Sequence, residues 1–311
     1  MFTSLGWRTV LLGLIFAGSA LYIYYEQKMT KSSPDAVATE KSPTHLKKNS
    51  TASSPSERKL EPSNVNRTNE PLRKTPSAFA TTSEKSANRV PFQIDEHGFA
   101  IAFGDIILGV PSQEIPDGQG YAAAPKVMLW ESREIPFHIQ ADFPNPERVY
   151  AALELFRDTP ILFVPYEGQP DAIVFEGREG HCKSYLGRVG GLQPIWLSDN
   201  CYPQQIAHEI MHALGFIHEH SRIDRDRYVE IVWDNIQEEY KNQFAVVPSQ
   251  LMISVDGTPF DYKSIMIYPE RSFSKTENSV TIRSRDNSTI APSEGLSEND
   301  KLRLHSIYGK K

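Results

Sequence analysis

The sequence predicts an α+β fold, and three observations carry that prediction. Strand-like segments come in runs, first 92-FQIDEHGFAIAFGDIILGV-110 and 135-IPFHIQADF-143, then 161-ILFVPY-166 and 171-DAIVFEG-177. A helix-patterned segment, 203-PQQIAHEIMHALGF-216, comes after them, so the order is not an alternating βαβ series. The chain closes on 296-LSENDKLRLHSIYG-309, where Ser297 and Asp300 have capping-box spacing. With 311 residues, 39% of them hydrophobic, it can bury a sizeable core in one or two domains.

The elements follow in order. Residues 9–25, TVLLGLIFAGSALYIYY, form an apolar run that opens the chain after Arg8. Its length lies between a signal-peptide core and a membrane span. Gly18-Ser19-Ala20 suits a signal-peptidase site, while Trp7 and Tyr22, Tyr24 and Tyr25 suit the rims of a membrane helix. Residues 1–25 are therefore read as a signal peptide or membrane anchor, and the protein as exported: secreted, periplasmic, or anchored with its folded part outside the cytoplasm. Residues 26–90 are rich in Ser, Thr, Pro, Asn and Lys, with Phe79 the only aromatic, and are read as a disordered stalk. Segment 111-PSQEIPDGQGYAAAP-125 reads as an exposed loop. Residues 146–159 read as a helix with Val149, Leu153 and Phe156 on one face. Residues 229–244 contain a third helical stretch.

Charge divides the chain. Residues 26–90 carry 12 Lys/Arg against 7 Asp/Glu, whereas residues 91–311 carry 20 against 32. The net charge of −6 argues against a nucleic-acid partner, which normally calls for a basic surface. Cys182 and Cys201 are the only cysteines. They either pair in an oxidising compartment or stay as two buried thiols, and no CxxC spacing points to a cysteine metal site.

The chemistry concentrates in 207-AHEIMHALGFIHEHSRIDRDRY-228. His208 and His212 are i and i+4 on a helix, so both imidazoles meet one ion. Gly215 permits a sharp turn that returns His218 as a third nitrogen. Three protein ligands with an open fourth position are the arrangement of a catalytic zinc, and one Zn2+ per chain is expected. Glu209, beside them, is placed as general base and acid for hydrolysis. A solvated helix with stray histidines fits poorly, because Ile210, Met211, Leu214 and Phe216 make the segment apolar. His220 falls off the spacing and reads as structural or surface.

HExxHxxGxxH with a following Met-turn resembles the metzincins. The continuation 218-HEHSRIDRD-226 and the stretch 264-SIMIY-268 resemble the astacin family in particular, as do 130-WESREIPFHI-139, 182-CKSYLGRVGGLQPIWLSDNC-201 and 295-GLSENDKLRLHSIYG-309. The resemblance covers roughly 126–309. It implies a mixed twisted sheet with the active-site helix in the upper half, and an irregular lower half ending in a helix. It implies a zinc endopeptidase acting on protein or peptide substrates, with Met266 flooring the site and Tyr268 as a switchable ligand that stabilises the oxyanion. Glu219 would receive the amine freed by an activating protease, and Cys182 would pair with Cys201. Residues 91–125 would be a pro-segment and 126–311 the catalytic domain. Astacin pro-segments carry FxGD, and 102-AFGDIIL-108 keeps Gly104-Asp105 with the phenylalanine one place closer. Asp105 is then a latency switch, released by a cut within 111–126. Residues 188–197 are expected to supply the strand that pairs with substrate, and many family members favour an acid just after the cut. Ile267 stands where the Met-turn usually has histidine, and no CUB or EGF module follows, which leans towards a microbial source. The alternative from another class is a zinc-containing, non-catalytic surface binding module.

Overall fold

The computed structural model describes residues 88–253 and 258–310, together with the short strand Thr81–Thr82 (β1). The apolar run 9–25 lies outside these residues, and no helix among them is long and apolar enough to cross a membrane. β1 falls inside the stretch read as stalk, pairing with Gln119–Ala123 (β5), so ordered backbone begins earlier than composition indicates.

The strands that follow β1 are Arg89–Ile94 (β2), Ala100–Ala102 (β3), Ile106–Gly109 (β4), β5, Glu134–Ile139 (β6), Leu162–Pro165 (β7), Ala172–Gly177 (β8), Lys183–Tyr185 (β9) and Leu192–Leu197 (β10). They form one mixed sheet in the order β1-β5-β2-β3-β4-β9-β10-β8-β6-β7. β6, β7, β8 and β10 run parallel, β9 is antiparallel to β10, and β4 joins β9 in parallel register, Ile106 opposite Ser184. The upstream segment therefore continues the sheet of the later part of the chain.

Three expectations need correction. Only the first part of 111–125 is loop, because Gln119–Ala123 pairs with β2. Residues 229–244 hold no α-helix: Val229–Ile231 (β11) pairs with Ile282–Ser284 (β12), and Trp233–Asn235 and Glu238–Phe244 are 3-10 turns. The β-branched Val229, Ile231 and Val232 favour the extended backbone there. Residues 188–197 supply no free edge, since β10 has β8 on one side and β9 on the other. Within residues 126–311 the sheet ends at β7 on one side and at β9 on the other, and β4 covers β9.

Helix Glu147–Glu154 (α1) buries Val149 and Leu153, with Phe156 just beyond it, and helix Pro203–Ala213 (α2) buries Ile206, Ile210 and Met211. Both pack on one face of the sheet through Phe137, Phe175, Ile195 and Leu197. Burial of so many large apolar side chains, at about 1.5–3 kcal/mol each, is what fixes α2 on the sheet. The carbonyls at the C-terminal end of α2 lack helical partners and are met from outside. Gly187 and Gly215 amides donate to His212, the Trp130 indole to Ala213, and the Tyr308 hydroxyl to Leu214. Tyr308 ends the helix Glu298–Tyr308 (α3), which opens with the expected Ser297–Asp300 capping box.

Asp300 does more than cap. It is fully buried, and it accepts from the Ser264 hydroxyl at 2.6 Å, the Ile265 amide at 2.9 Å and the Ser297 amide at 3.1 Å. Asp300→Ala strands those donors and is expected to cost roughly 2–4 kcal/mol. A urea denaturation midpoint that falls with an unchanged slope is the readout; an unmoved midpoint contradicts this role for Asp300.

Candidate metal centre and active site

The site is built at the end of α2. His208 and His212 project from one face, and the chain turns back at Gly215, whose φ is +104°. A Cβ there would lie 2.5 Å from Ile253 and 3.0 Å from Leu129, so both the backbone conformation and the close packing require glycine. The turn delivers His218, whose Nε2 lies 3.1 Å from that of His208 and 3.3 Å from that of His212. The ring orientations are set from behind: His208 Nδ1 donates to the Ile265 carbonyl at 2.8 Å and His212 Nδ1 to the Phe216 carbonyl at 2.7 Å. Since a carbonyl only accepts, both Nδ1 atoms carry the proton, and neutral rings then present bare Nε2 lone pairs. Burial drives His212 down to about 4, with Asp105 only partly opposing, so its ring stays neutral.

Asp105 completes the cluster. Its Oδ2 lies 3.1 Å from His218 Nε2 and 3.5 Å from His208 Nε2, and its Oδ1 lies 3.3 Å from His212 Nε2. It is aimed there by Phe103 and Gly104, with φ of +52° and +99°. Positive φ is costly for phenylalanine, so this turn is held by its surroundings. The Tyr268 hydroxyl donates to the Phe103 carbonyl at 3.0 Å and to Gln243 Oε1 at 3.2 Å, and a Cβ on Gly104 would strike both side chains. Burial works against the charge on Asp105, but His218 and His212 outweigh it and hold its carboxyl well below the usual range.

Three converging nitrogen lone pairs and a carboxylate crowd one buried point, and that donor set fits Zn2+. Glu209 is 2% exposed, and its Oε2 has no partner. It borders a cavity of about 400 Å3 lined also by Asp105, His208, Tyr268 and Gln243. Burial, and then the charge of Asp105, push Glu209 well above the ordinary carboxyl range.

The other expected residues fall around this centre. Met266 is buried in a turn whose neighbouring Ile265 carbonyl holds His208, while its own carbonyl accepts from the Glu219 amide at 2.8 Å. Glu219 is already saturated: Arg303 donates to both oxygens, and Arg222 and the Asp261 amide also donate, each at 2.8 Å. His220 is not at the surface. It is fully buried, stacks on His218 at 5.1 Å and leans on Tyr268 at 4.1 Å. Cys182 and Cys201 form a disulfide that closes the segment between β9 and α2. Gln243, Arg303 and the ion pair of Lys183 with Asp95 escaped the sequence reading, because nothing in local spacing marks partners so distant.

A mixed sheet carrying three histidines and an adjacent glutamate at the end of one helix defines a metzincin-type zinc site. Residues 122–309 match the peptidase family described as Astacin. Zinc metalloproteinase nas-15 of Caenorhabditis elegans is 34% identical over 198 residues, 62% of this chain and 34% of that protein. Meprin A subunit alpha of Mus musculus is 38% identical over 162 residues, 50% of this chain and 21% of that one. The solved structure of high choriolytic enzyme 1, a hatching enzyme zinc-protease from Oryzias latipes (medaka fish), superposes with a TM-score of 0.51 at 31% identity. That match covers 58% of this chain and 94% of the enzyme. The chain belongs to the astacin family, and His208, His212 and His218 are its zinc ligands. It spans only about a third of the length of the nas-15 protein.

One equivalent of Zn2+ per chain is expected by elemental analysis, and His212→Ala should abolish it. Stoichiometric zinc retained by His212→Ala contradicts the assignment.

Proposed function

We propose that the protein is a latent zinc endopeptidase, with residues 91–125 as its pro-segment and 126–311 as its catalytic domain. The observation that carries this is the position of Asp105. Its carboxylate lies against all three histidines, while Glu209 stands beside it with an unpartnered oxygen. A zinc ion held by the histidines supplies Lewis acidity to the scissile carbonyl and to the attacking water.

The rest belongs to the chain's own groups. A cut within 111–126 by an activating protease lets the upstream segment leave. Departure removes Asp105 from the three histidines and takes away one of the two causes that raise the Glu209 carboxyl. Glu209 then accepts the proton of the attacking water and passes it to the leaving amine. Tyr268 loses the Phe103 carbonyl as its partner and keeps only Gln243 Oε1, which its hydroxyl exchanges for the oxyanion. Burial, Asp105 and Glu209 hold that hydroxyl well above its ordinary pKa, so it serves as a donor. The edge of β9 becomes available to an extended substrate, main chain to main chain. Glu219 receives the new amine only if Arg222 or Arg303 gives way; the cavity of about 190 Å3 beside it, lined by Gly215, Met266 and both arginines, leaves room for that exchange.

The disulfide supports export, since such bonds persist in oxidising compartments. Residues 1–25 are the proposed leader or membrane anchor. A microbial source gains nothing from nematode and mouse relatives and is not proposed. A non-catalytic zinc-binding module has no use for an unpartnered carboxylate and a tyrosine hydroxyl aimed at one spot.

Casein cleavage should appear when the purified chain is trimmed within 111–126, and vanish in Glu209→Ala and with a chelator. Loaded, trimmed protein that cuts nothing contradicts the endopeptidase reading. Asp105→Ala should cleave before trimming; if it is as silent as the untrimmed parent, Asp105 is no latch. Tyr268→Phe should lower kcat by about 100- to 1,000-fold with KM little changed, the scale of one lost oxyanion donor.

A further inference from the structure

On the endopeptidase reading, departure of the upstream segment leaves the Tyr268 hydroxyl with one protein partner, Gln243. In the intact chain that hydroxyl donates to the Phe103 carbonyl at 3.0 Å and to Gln243 Oε1 at 3.2 Å. The first acceptor belongs to the departing turn, the second to the 3-10 stretch Glu238–Phe244 of the catalytic domain. The rings around Tyr268 do not replace it. His220 and Phe273 lie 4.1 and 5.5 Å from its ring and limit its tilt. Neither accepts from the hydroxyl: Phe273 has no acceptor, and His220 turns Nε2 to the Gln243 carbonyl at 3.3 Å while its Nδ1 has no partner.

Gln243 is held from within the catalytic domain. Phe244, next in the chain, is fully buried beside Ile236, Ile267 and Ile282, and its carbonyl accepts from Arg225. Tyr240, one turn earlier, stacks on Phe273 at 4.5 Å. None of these anchors comes from the upstream segment, so Gln243 keeps its place after the cut. The contact this stretch loses is the Gln93 side chain, which donates to the Glu239 carbonyl at 2.8 Å. Gln243 borders both the cavity of about 400 Å3 at the metal centre and one of about 210 Å3 beside Lys183 and His181. A Cβ on Gly104 would lie 2.7 Å from Gln243 Oε1 and 2.9 Å from the Tyr268 hydroxyl. The departing turn therefore covers this pair closely, and its loss opens the pair to whatever enters the cavity.

A hydroxyl aimed by nothing but water samples many directions, and an oxyanion donor is effective when it is aimed in advance. Gln243 Oε1 supplies that aim, and it is an acceptor that can be given up. The amide is neutral, and a hydrogen bond to a charged oxygen is about twice as strong as one to a neutral oxygen. The hydrogen thus rests on Gln243 before reaction and passes to the oxyanion as charge develops there. We propose that Gln243 is a positioning residue of the processed enzyme, holding the Tyr268 hydroxyl towards the metal centre until the oxyanion takes its hydrogen bond. This rests on the endopeptidase reading and on Tyr268 as the oxyanion donor.

The test uses the full chain with a site-specific protease sequence placed at the exposed Pro125–Lys126. The parent, Gln243→Met, Tyr268→Phe and the double variant are cut, checked for zinc content and assayed on one peptide. Methionine keeps the length of the side chain and removes the amide oxygen. Gln243→Met should keep its zinc and lower kcat by about tenfold with KM little changed, the scale of one lost neutral hydrogen bond. The double variant should be no slower than Tyr268→Phe alone, because Gln243 acts only through that hydroxyl. The assignment is overturned by an unchanged kcat, by a loss confined to KM, by a loss that tracks missing zinc, or by a loss that persists in full on the Tyr268→Phe background. Tyr268→Phe as fast as the parent removes the oxyanion donor, and this inference with it, while the protease stands. A parent that cuts no peptide overturns the endopeptidase reading itself.

Discussion

Three imidazole lone pairs pointed at one buried spot repel one another, and much of the surrounding structure serves to hold them there. Two of the rings are fixed from the far side, and each fixing group must itself be fixed, whereas the buried Nδ1 of His218 has no hydrogen-bond partner. The Ile265 carbonyl orients His208, but only because Asp300 grips the Ser264 hydroxyl and the Ile265 amide from the next helix. The Phe216 carbonyl orients His212 through a turn that exists because residue 215 has no Cβ. The Glu219 amide ties the third histidine's neighbour to the Met266 carbonyl. A cation at the centre turns this arrangement from costly to favourable, and Asp105 brings a carboxylate to the same place.

That carboxylate is delivered by strain. Phe103 and Gly104 both adopt left-handed backbone, and the turn persists because Tyr268 and Gln243 clasp it. On the proposed reading latency and catalysis share a hydroxyl: while Tyr268 braces the Phe103–Gly104 turn, it cannot serve an oxyanion. His220, stacked behind His218 and tilted against Tyr268, forms the wall that keeps the tyrosine in range.

Sequence spacing revealed the parts of the site that are local. His208, Glu209, His212, Gly215 and His218 lie within one helix and its exit turn, where period and glycine alone dictate geometry. The capping box of α3 was legible for the same reason. Partners far apart in the chain were not: Asp95 and Lys183 are separated by 88 positions, and Arg303 and Glu219 by 84. The resemblance puts the substrate-pairing strand at 188–197, but strand neighbours depend on distant parts of the chain: β10 is interior and the short β9 carries the edge. The helical stretch expected within 229–244 is instead the 3-10 turns Trp233–Asn235 and Glu238–Phe244, a distinction that residue pattern over so short a segment does not make.

The continuity of the sheet bears on what a single cut accomplishes. Hydrolysis within 111–126 breaks one covalent bond and none of the contacts that seat the upstream segment. Val90, Ala102, Phe103 and Ile106 remain packed with Leu186, Val247 and Leu251, and β4 remains paired with β9. What changes is connectivity. An attached segment competes at the high effective concentration of a tether, and a cut segment competes only at its bulk concentration. On the proposed reading, contacts sufficient to hold the site closed in the intact chain become a finite affinity after the cut, and dilution, or digestion of the freed piece, completes its removal. The strained turn favours the same outcome, because Phe103 and Gly104 relax once their clasp is lost.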